Sequence, residues 1–131
     1  MSFGQRNYDR TKPEVEFPDH EVPDDLVIED LIVGDGPEVK AGDRVAAHYV
    51  GVAFSTGEEF DSSWNRGNPL EFVAGVGQVI QGWDQGILGM KVGGRRRLEI
   101  PSDQAYGEHG AGGVIGPDEA LIFVVDLVAI G

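Results

Sequence analysis

The apolar positions of this chain fall in short bursts divided by glycine, proline and charged residues, a pattern that predicts strands joined by turns. LVIEDLIV (residues 26–33) reads as an edge-like strand rich in β-branched residues. GDGPEVKAGD supplies a turn and a short loop before RVAAHYVGVAF (44–54), a second strand with Tyr49 near its middle. STG is a hairpin-type connection into EEFDSS (58–63), and the loop WNRGNP leads to a brief strand in LEFVAG. VGGRRRLEIP is a further strand, stopped by Pro101. ALIFVVDLVAI (120–130) is almost continuously apolar, which predicts a central, buried strand.

One segment breaks the pattern. Ile80, Trp83 and Ile87 are spaced i, i+3, i+7, one face of a helix that ends near Gly89. Gly82 and Gly86 sit inside it, and each costs about 1 kcal/mol relative to alanine. Either Trp83 is ordinary core, or its indole is presented to a ligand. Several strands and one real helix argue for an α+β domain, a mostly antiparallel sheet folded over that helix. The expected domain runs over residues 26–131. Residues 1–25 carry Pro13, Pro18 and Pro23 without a sustained apolar period, and read as an acidic, flexible extension. Between the last two strands, the glycine-rich loop over residues 102–119 is long enough to suggest a functional role.

Composition narrows the chemistry. A length of 131 residues suits one domain, and the absence of cysteine excludes a disulfide framework, a thiolate nucleophile and a cysteine-based metal site. No apolar run approaches a membrane span, and the N-terminus lacks the apolar core of a signal peptide, so a cytoplasmic protein is expected. The net charge of −13 opposes nucleic acid and anionic lipid. Arg95, Arg96 and Arg97 form the one basic cluster, and a strand showing alternate arginines to solvent accounts for it. With no spare amphipathic helix evident, a monomer is expected.

Candidate active-site motifs mostly fail on inspection. GVGQVIQG (75–82) has Ile80 where a dinucleotide fingerprint needs its third glycine, and no βαβ unit surrounds it. His20, His48 and His109 have no metal-like spacing, so no metal and no cofactor are expected. No serine sits in a nucleophile elbow; Ser62 and Ser63 suit a strand end. What remains is a set of aromatics from different elements: Tyr49, Phe60, Phe72, Trp83, Tyr106 and Phe123. Taken singly each is plain core. Three details favour a pocket. Asp61 follows Phe60, so the two alternate faces unless a bulge intervenes. Tyr106 sits in the long loop, where a packing aromatic is not required. Arg66 lies five residues beyond Asp61, within a loop's reach.

HYVG, EFDSSWNRGNPLEF, GVGQVIQGWDQGILGMKVGGRRRLEIP, AYGEHG and ALIFVVDLV together resemble the FKBP-type peptidyl-prolyl isomerases, immunophilins that bind tacrolimus and rapamycin. The resemblance covers residues 26–131 and implies a twisted, mostly antiparallel sheet of five or six strands wrapped around one short helix. It implies a non-covalent cis-trans isomerase acting on proline-containing polypeptides, the alternative being a catalytically weak proline- or macrolide-binding module. Carried over residue by residue, Trp83 is the floor on which a proline ring rests. Tyr49, Phe60, Phe72 and Phe123 are the walls, with Val79 and Ile80 at the entrance and the Ile80 N–H receiving a ligand carbonyl. Tyr106 donates from the loop, Asp61 is the one buried carboxylate and Arg66 its charge partner; Ala105, Val114 and Ile115 shape the rim. Asp61, Tyr106, Trp83 and Phe60 are the expected catalytic set. Leu70, Ala111, Gly116 and Gln78 depart from the family's common pattern, and Leu70 makes one wall smaller.

Overall fold

A strand that is apolar on both faces has to be covered on both, and the C-terminal burst of valine, leucine and isoleucine is therefore the centre of the architecture. The computed structural model describes residues 10–131. In it, β6 (Leu121–Ile130) lies between β5 (Arg95–Ile100) and β2 (Arg44–Ala53), antiparallel to both. β1 (Val27–Ile32) adds to β5 as an edge strand, while β3 (Glu59–Ser62) and β4 (Leu70–Val73) pair with opposite ends of β2. The resulting six-stranded sheet has the order β1-β5-β6-β2-β3, with β4 beside β2. This is the expected α+β sheet over a short helix.

The two faces have different covers. Inward, Leu121, Phe123, Val125 and Leu127 join Leu98, Ile100, Val45 and Tyr49 in one core with Trp83, Ile87 and Met90. Trp83 belongs to α2 (Gln81–Gly86), shorter than the spacing predicts. Its glycines explain its closeness to the sheet: a Cβ on Gly82 would stand 2.5 Å from the Ile100 side chain, and one on Gly86 2.7 Å from Leu98. The helix thus gives up intrinsic propensity so that its backbone can rest directly on β5. A second helix, α1 (Ser63–Arg66), is a single turn inside what the sequence presents as a loop. The long loop contains two short 3₁₀ turns, Ser102–Gln104 and Gly107–His109. Among the described residues no helix is long and apolar enough to cross a membrane.

Outward, Val52, Phe54, Ala120 and Ile122 form a smaller cluster, and Val15 packs on it. Of the expected extension, residues 1–9 lie outside the described residues. Residues 10–25 contain no helix or strand, as their prolines dictate, yet they run against the outer face of the sheet. Arg10 Nη1 donates to Asp126 Oδ2 at 3.3 Å, Arg95 Nη2 donates to the Thr11 carbonyl at 3.2 Å, and His20 Nε2 lies 2.7 Å from Glu99 Oε1. The arginine triplet is not a solvated stripe either. Arg95 Nε binds Asp126 at 2.8 Å, and Arg97 pairs with Glu99 at 3.2 Å. Arg96, on the opposite face, binds Asp30 at 2.7 Å and the carbonyls of Gly86 and Leu88, tying α2's C-terminus to the sheet. Each strand arginine sits beside an acid supplied by another element or, for Arg97, by the next outward position.

Candidate active site

Between α2 and the inner face of the sheet lies a cavity of about 420 Å³. Trp83 is its floor, with Tyr49 and Phe123 meeting the indole edge-on at ring distances of 5.0 and 5.3 Å. Phe60 meets Phe123 in the same way at 5.5 Å. Edge-to-face contact sets the positive rim of one ring against the negative face of another, so the aromatics brace each other while leaving the space above the indole open. Leu70, Val79 and Ile80 complete the apolar lining, and Tyr106 overhangs from the loop.

Strand alternation should put Phe60 and Asp61 on opposite faces, yet both line the cavity. The register shows why: Gly51 faces Asp61 while the next residue, Val52, faces Glu59, so Phe60 is the extra residue of a bulge. Gly51 is also needed for space, since a Cβ there would lie 2.6 Å from the rings of both Phe60 and Phe123.

Asp61 is held from three sides. Tyr49 Oη donates to its Oδ2 at 2.5 Å, while Arg66 Nη1 and the Ser62 N–H donate to Oδ1 at 2.6 and 2.9 Å. Arg66 Nη2 also donates to Tyr49 Oη at 2.8 Å, closing the triangle. Tyr49 is anchored in turn by Ser63, whose Oγ accepts the Tyr49 N–H at 2.7 Å and lies 2.8 Å from His48 Nδ1. His48 points to the other face and stacks on Trp64 at 4.2 Å.

The expectation of a single, buried carboxylate needs correction: the Asp61 side chain is 42% exposed. Among the described residues, the buried carboxylates are Asp126 and Glu99, both on the outer face. A β3 bulge at the sheet's edge cannot bury a charge that deeply, and the Arg66 guanidinium shares the opening. Partial burial raises the Asp61 carboxyl, but the hydrogen bonds from Tyr49 and Arg66 outweigh it and hold the group below the ordinary carboxylate value. Burial, and then the negative charge of Asp61, push the Tyr106 phenol up, so it stays a neutral donor. Because the folded Asp61 value is depressed, its stabilising contribution is present above the unfolded value and is lost as pH falls through the folded one. In acid titrations followed by tryptophan fluorescence, the loss of stability below about pH 4 is expected to be steeper in the wild type than in Asp61→Asn. Equal slopes would contradict the assignment.

The remaining positions separate. Phe72 is buried against Trp83 at 5.6 Å and supports the floor from below, while Arg66 stands behind Asp61. Ala105 and Ile115 pack into the core, and Val114 is exposed on the loop; none of the three is on the cavity surface. Gly77 and Gln78 are on it. The sequence marks Gln78 only as a departure from the family pattern and does not single out Gly77. Their positions come from a loop closed by side-chain to backbone contacts: Gln78 Oε1 accepts the Val73 N–H at 2.9 Å, and Asp84 accepts the N–H groups of Gly75 and Gly77 at 3.0 and 2.7 Å. The glycine-rich GVGQ stretch before the helix is the one signal that could have pointed there. Among the described residues, no group of three or more potential metal-ligating side chains could hold an ion.

Comparison with known proteins agrees with this fold. The family model described as FKBP-type peptidyl-prolyl cis-trans isomerase matches residues 36–128. An FK506-binding protein of Streptomyces anulatus is 67% identical over 120 residues, covering 91% of this chain and 97% of the relative. The peptidyl-prolyl cis-trans isomerase FPR2 of Saccharomyces cerevisiae is 54% identical over 89 residues, 68% of this chain and 66% of the relative. Among solved structures, the crystal structure of AtFKBP13 superposes with a TM-score of 0.75 at 44% identity, covering 81% of this chain and 93% of that one.

Proposed function

Because the chain belongs to the FKBP-type peptidyl-prolyl cis-trans isomerase family, we propose that the cavity over Trp83 holds the proline ring of a polypeptide substrate while the preceding peptide bond rotates. The observation that carries this reading is the pairing of an apolar floor with one fixed carboxylate at its edge, the Asp61 held by Tyr49 and Arg66.

The reaction breaks no covalent bond. Its obstacle is amide resonance, a barrier of about 18–20 kcal/mol. At the twisted transition state the nitrogen loses conjugation and the C–N unit becomes less dipolar, so a pocket of aromatic faces favours it over the planar amide. Trp83 and Phe60 hold the ring, which restricts rotation to the carbonyl side. The Ile80 N–H at the start of α2 receives a carbonyl of the peptide, and Tyr106 donates to the same chain from the loop. Asp61, fixed in its ionised form, acts on the twisting carbonyl carbon. A macrolide of the kind for which the Streptomyces relative is named would occupy the same floor, with Leu70 leaving that wall smaller.

The test follows cis-to-trans conversion of a short Leu-Pro-Phe peptide. Wild type is expected to accelerate exchange, and Asp61→Val to retain about one-tenth of kcat/KM, a loss of about 1.4 kcal/mol of transition-state stabilisation. Full activity in Asp61→Val would remove the electrostatic part and leave shape alone. No acceleration by wild type would make the domain a proline-binding module.

A further inference from the structure

We infer that Lys12 is a positioning residue for the isomerase site, bracing from outside the wall that carries Phe60, Asp61 and Arg66. The inference rests on the isomerase reading above and adds a part of the chain outside the matched family region to it.

That wall is built from short elements at the sheet's edge. β3 is four residues long, lies at the sheet's edge and pairs only with β2, through the bulge at Phe60. α1 follows at once as a single turn whose N-cap, Ser62, makes no side-chain capping bond. Short edge elements of this kind open more easily than the rest of a sheet. Lys12 spans them both. Its Nζ lies 2.6 Å from Glu59 Oε1 on β3 and 3.1 Å from Asn65 Oδ1 on α1, and Asn65 Nδ2 donates to Glu59 Oε2 at 3.1 Å. The three side chains form a closed triangle. Its two wall members are the immediate sequence neighbours of Phe60 and Arg66, so a shift of the triangle is a shift of the carboxylate and its guanidinium partner.

An exposed ion pair on a free chain end would contribute little, because ordering the chain would cost more than the contact returns. Lys12 is not on a free end. The Arg10 guanidinium on its N-terminal side binds the fully buried Asp126, the Thr11 carbonyl accepts from Arg95, and Val15 on its C-terminal side packs against Val52, Phe54 and Ile122. Both flanks of Lys12 are therefore fixed to the rigid centre of the sheet, to β5 and β6 on one side and to the outer apolar cluster on the other. The ammonium is delivered to the wall already ordered, and the segment couples β6 to β3–α1 by a route separate from their pairing through β2.

The experiment compares wild type, Lys12→Glu, Glu59→Lys and the double charge swap, with kcat and KM measured separately on the peptide and the denaturation midpoint measured for each. Lys12→Glu places two carboxylates together and is expected to lower kcat/KM about fivefold, mainly through kcat. The double swap restores the attraction with reversed polarity and is expected to recover to within twofold of wild type. Midpoints should agree across the series, since the contact is at the surface. Backbone and side-chain NMR supplies a readout independent of turnover: Lys12→Glu should move the Arg66 Nε–H and Phe60 ring signals and leave the Trp83 indole N–H in place. Wild-type inactivity would defeat the isomerase reading, while the NMR arm would still decide whether Lys12 braces the wall. Lys12→Glu with unaltered kcat/KM and unmoved Arg66 and Phe60 signals would overturn the inference. So would a double swap that stays as impaired as Lys12→Glu.

Discussion

Trp83→Ala is expected to lower kcat/KM for peptide isomerisation about 100-fold, corresponding to about 2.7 kcal/mol of lost transition-state stabilisation. The indole is 3% exposed and is met by Tyr49, Phe72 and Phe123, so its removal takes away the floor and three aromatic contacts together. The same truncation should cost about 3–5 kcal/mol of stability, because Ile100 and Leu98 hold α2 in place and the void cannot close by moving the helix inward. Trp83→Leu separates the two effects. It refills much of the volume, and should recover much of the stability, but it offers no flat ring for proline and should remain at least about tenfold impaired. Urea midpoints and exchange kinetics on the same samples decide the matter. Activity in Trp83→Leu close to wild type would mean that any apolar floor suffices.

Asp126→Ala is expected to be as damaging to stability as Trp83→Ala while costing turnover far less. Asp126 is fully buried on the outer face, binding Arg95 Nε at 2.8 Å and Arg10 at 3.3 Å. Removing one member of a buried pair leaves the other's charge poorly compensated, at about 3–5 kcal/mol. For a domain of this size that corresponds to a fall in Tm of about 10–20 °C. His48 provides a second readout. Burial lowers its pKa and the Asp126 charge opposes the effect, so without Asp126 the imidazole value should fall further. Because the cavity lies on the opposite side of the sheet and Asp126 reaches it through the Arg10 anchor of Lys12, kcat/KM at low temperature should fall by no more than the about fivefold expected of Lys12→Glu. An unchanged Tm would show that Arg95 and Arg10 find equivalent partners, and a large loss of turnover would show that the two faces are coupled more tightly than the separate clusters indicate.

The depth at which carboxylates lie is where local sequence misleads most. FDSSWNR places Asp61 and Arg66 within reach of each other, and the ion pair forms, but burial depends on how far β3 lies from the sheet's centre. β3 is an edge strand and Asp61 remains partly open. Asp126, in contrast, interrupts the most apolar strand of the chain, and the neighbouring positions of β5 supply Arg95 across the register. The outward arginines looked solvent-directed because strand alternation says which face a side chain takes and nothing about what covers that face. Here residues 10–20 cover part of it.

Several features were determined by sequence alone. The short apolar bursts dictated strands, the almost continuously apolar run at residues 120–130 dictated the central one, and the Ile80, Trp83 and Ile87 spacing marked the helix that carries the indole. These follow from local periodicity, which is written in neighbouring residues; why Gly82 and Gly86 are tolerated in the helix emerged only from its contact with β5. Tertiary structure decided the rest: the bulge that turns Phe60 and Asp61 to the same side, the removal of Ala105, Val114 and Ile115 from the cavity surface, and the docking of an irregular, proline-bearing segment on the outer face. Each depends on strand register or on contacts between residues far apart in the chain, and local spacing carries no information about either.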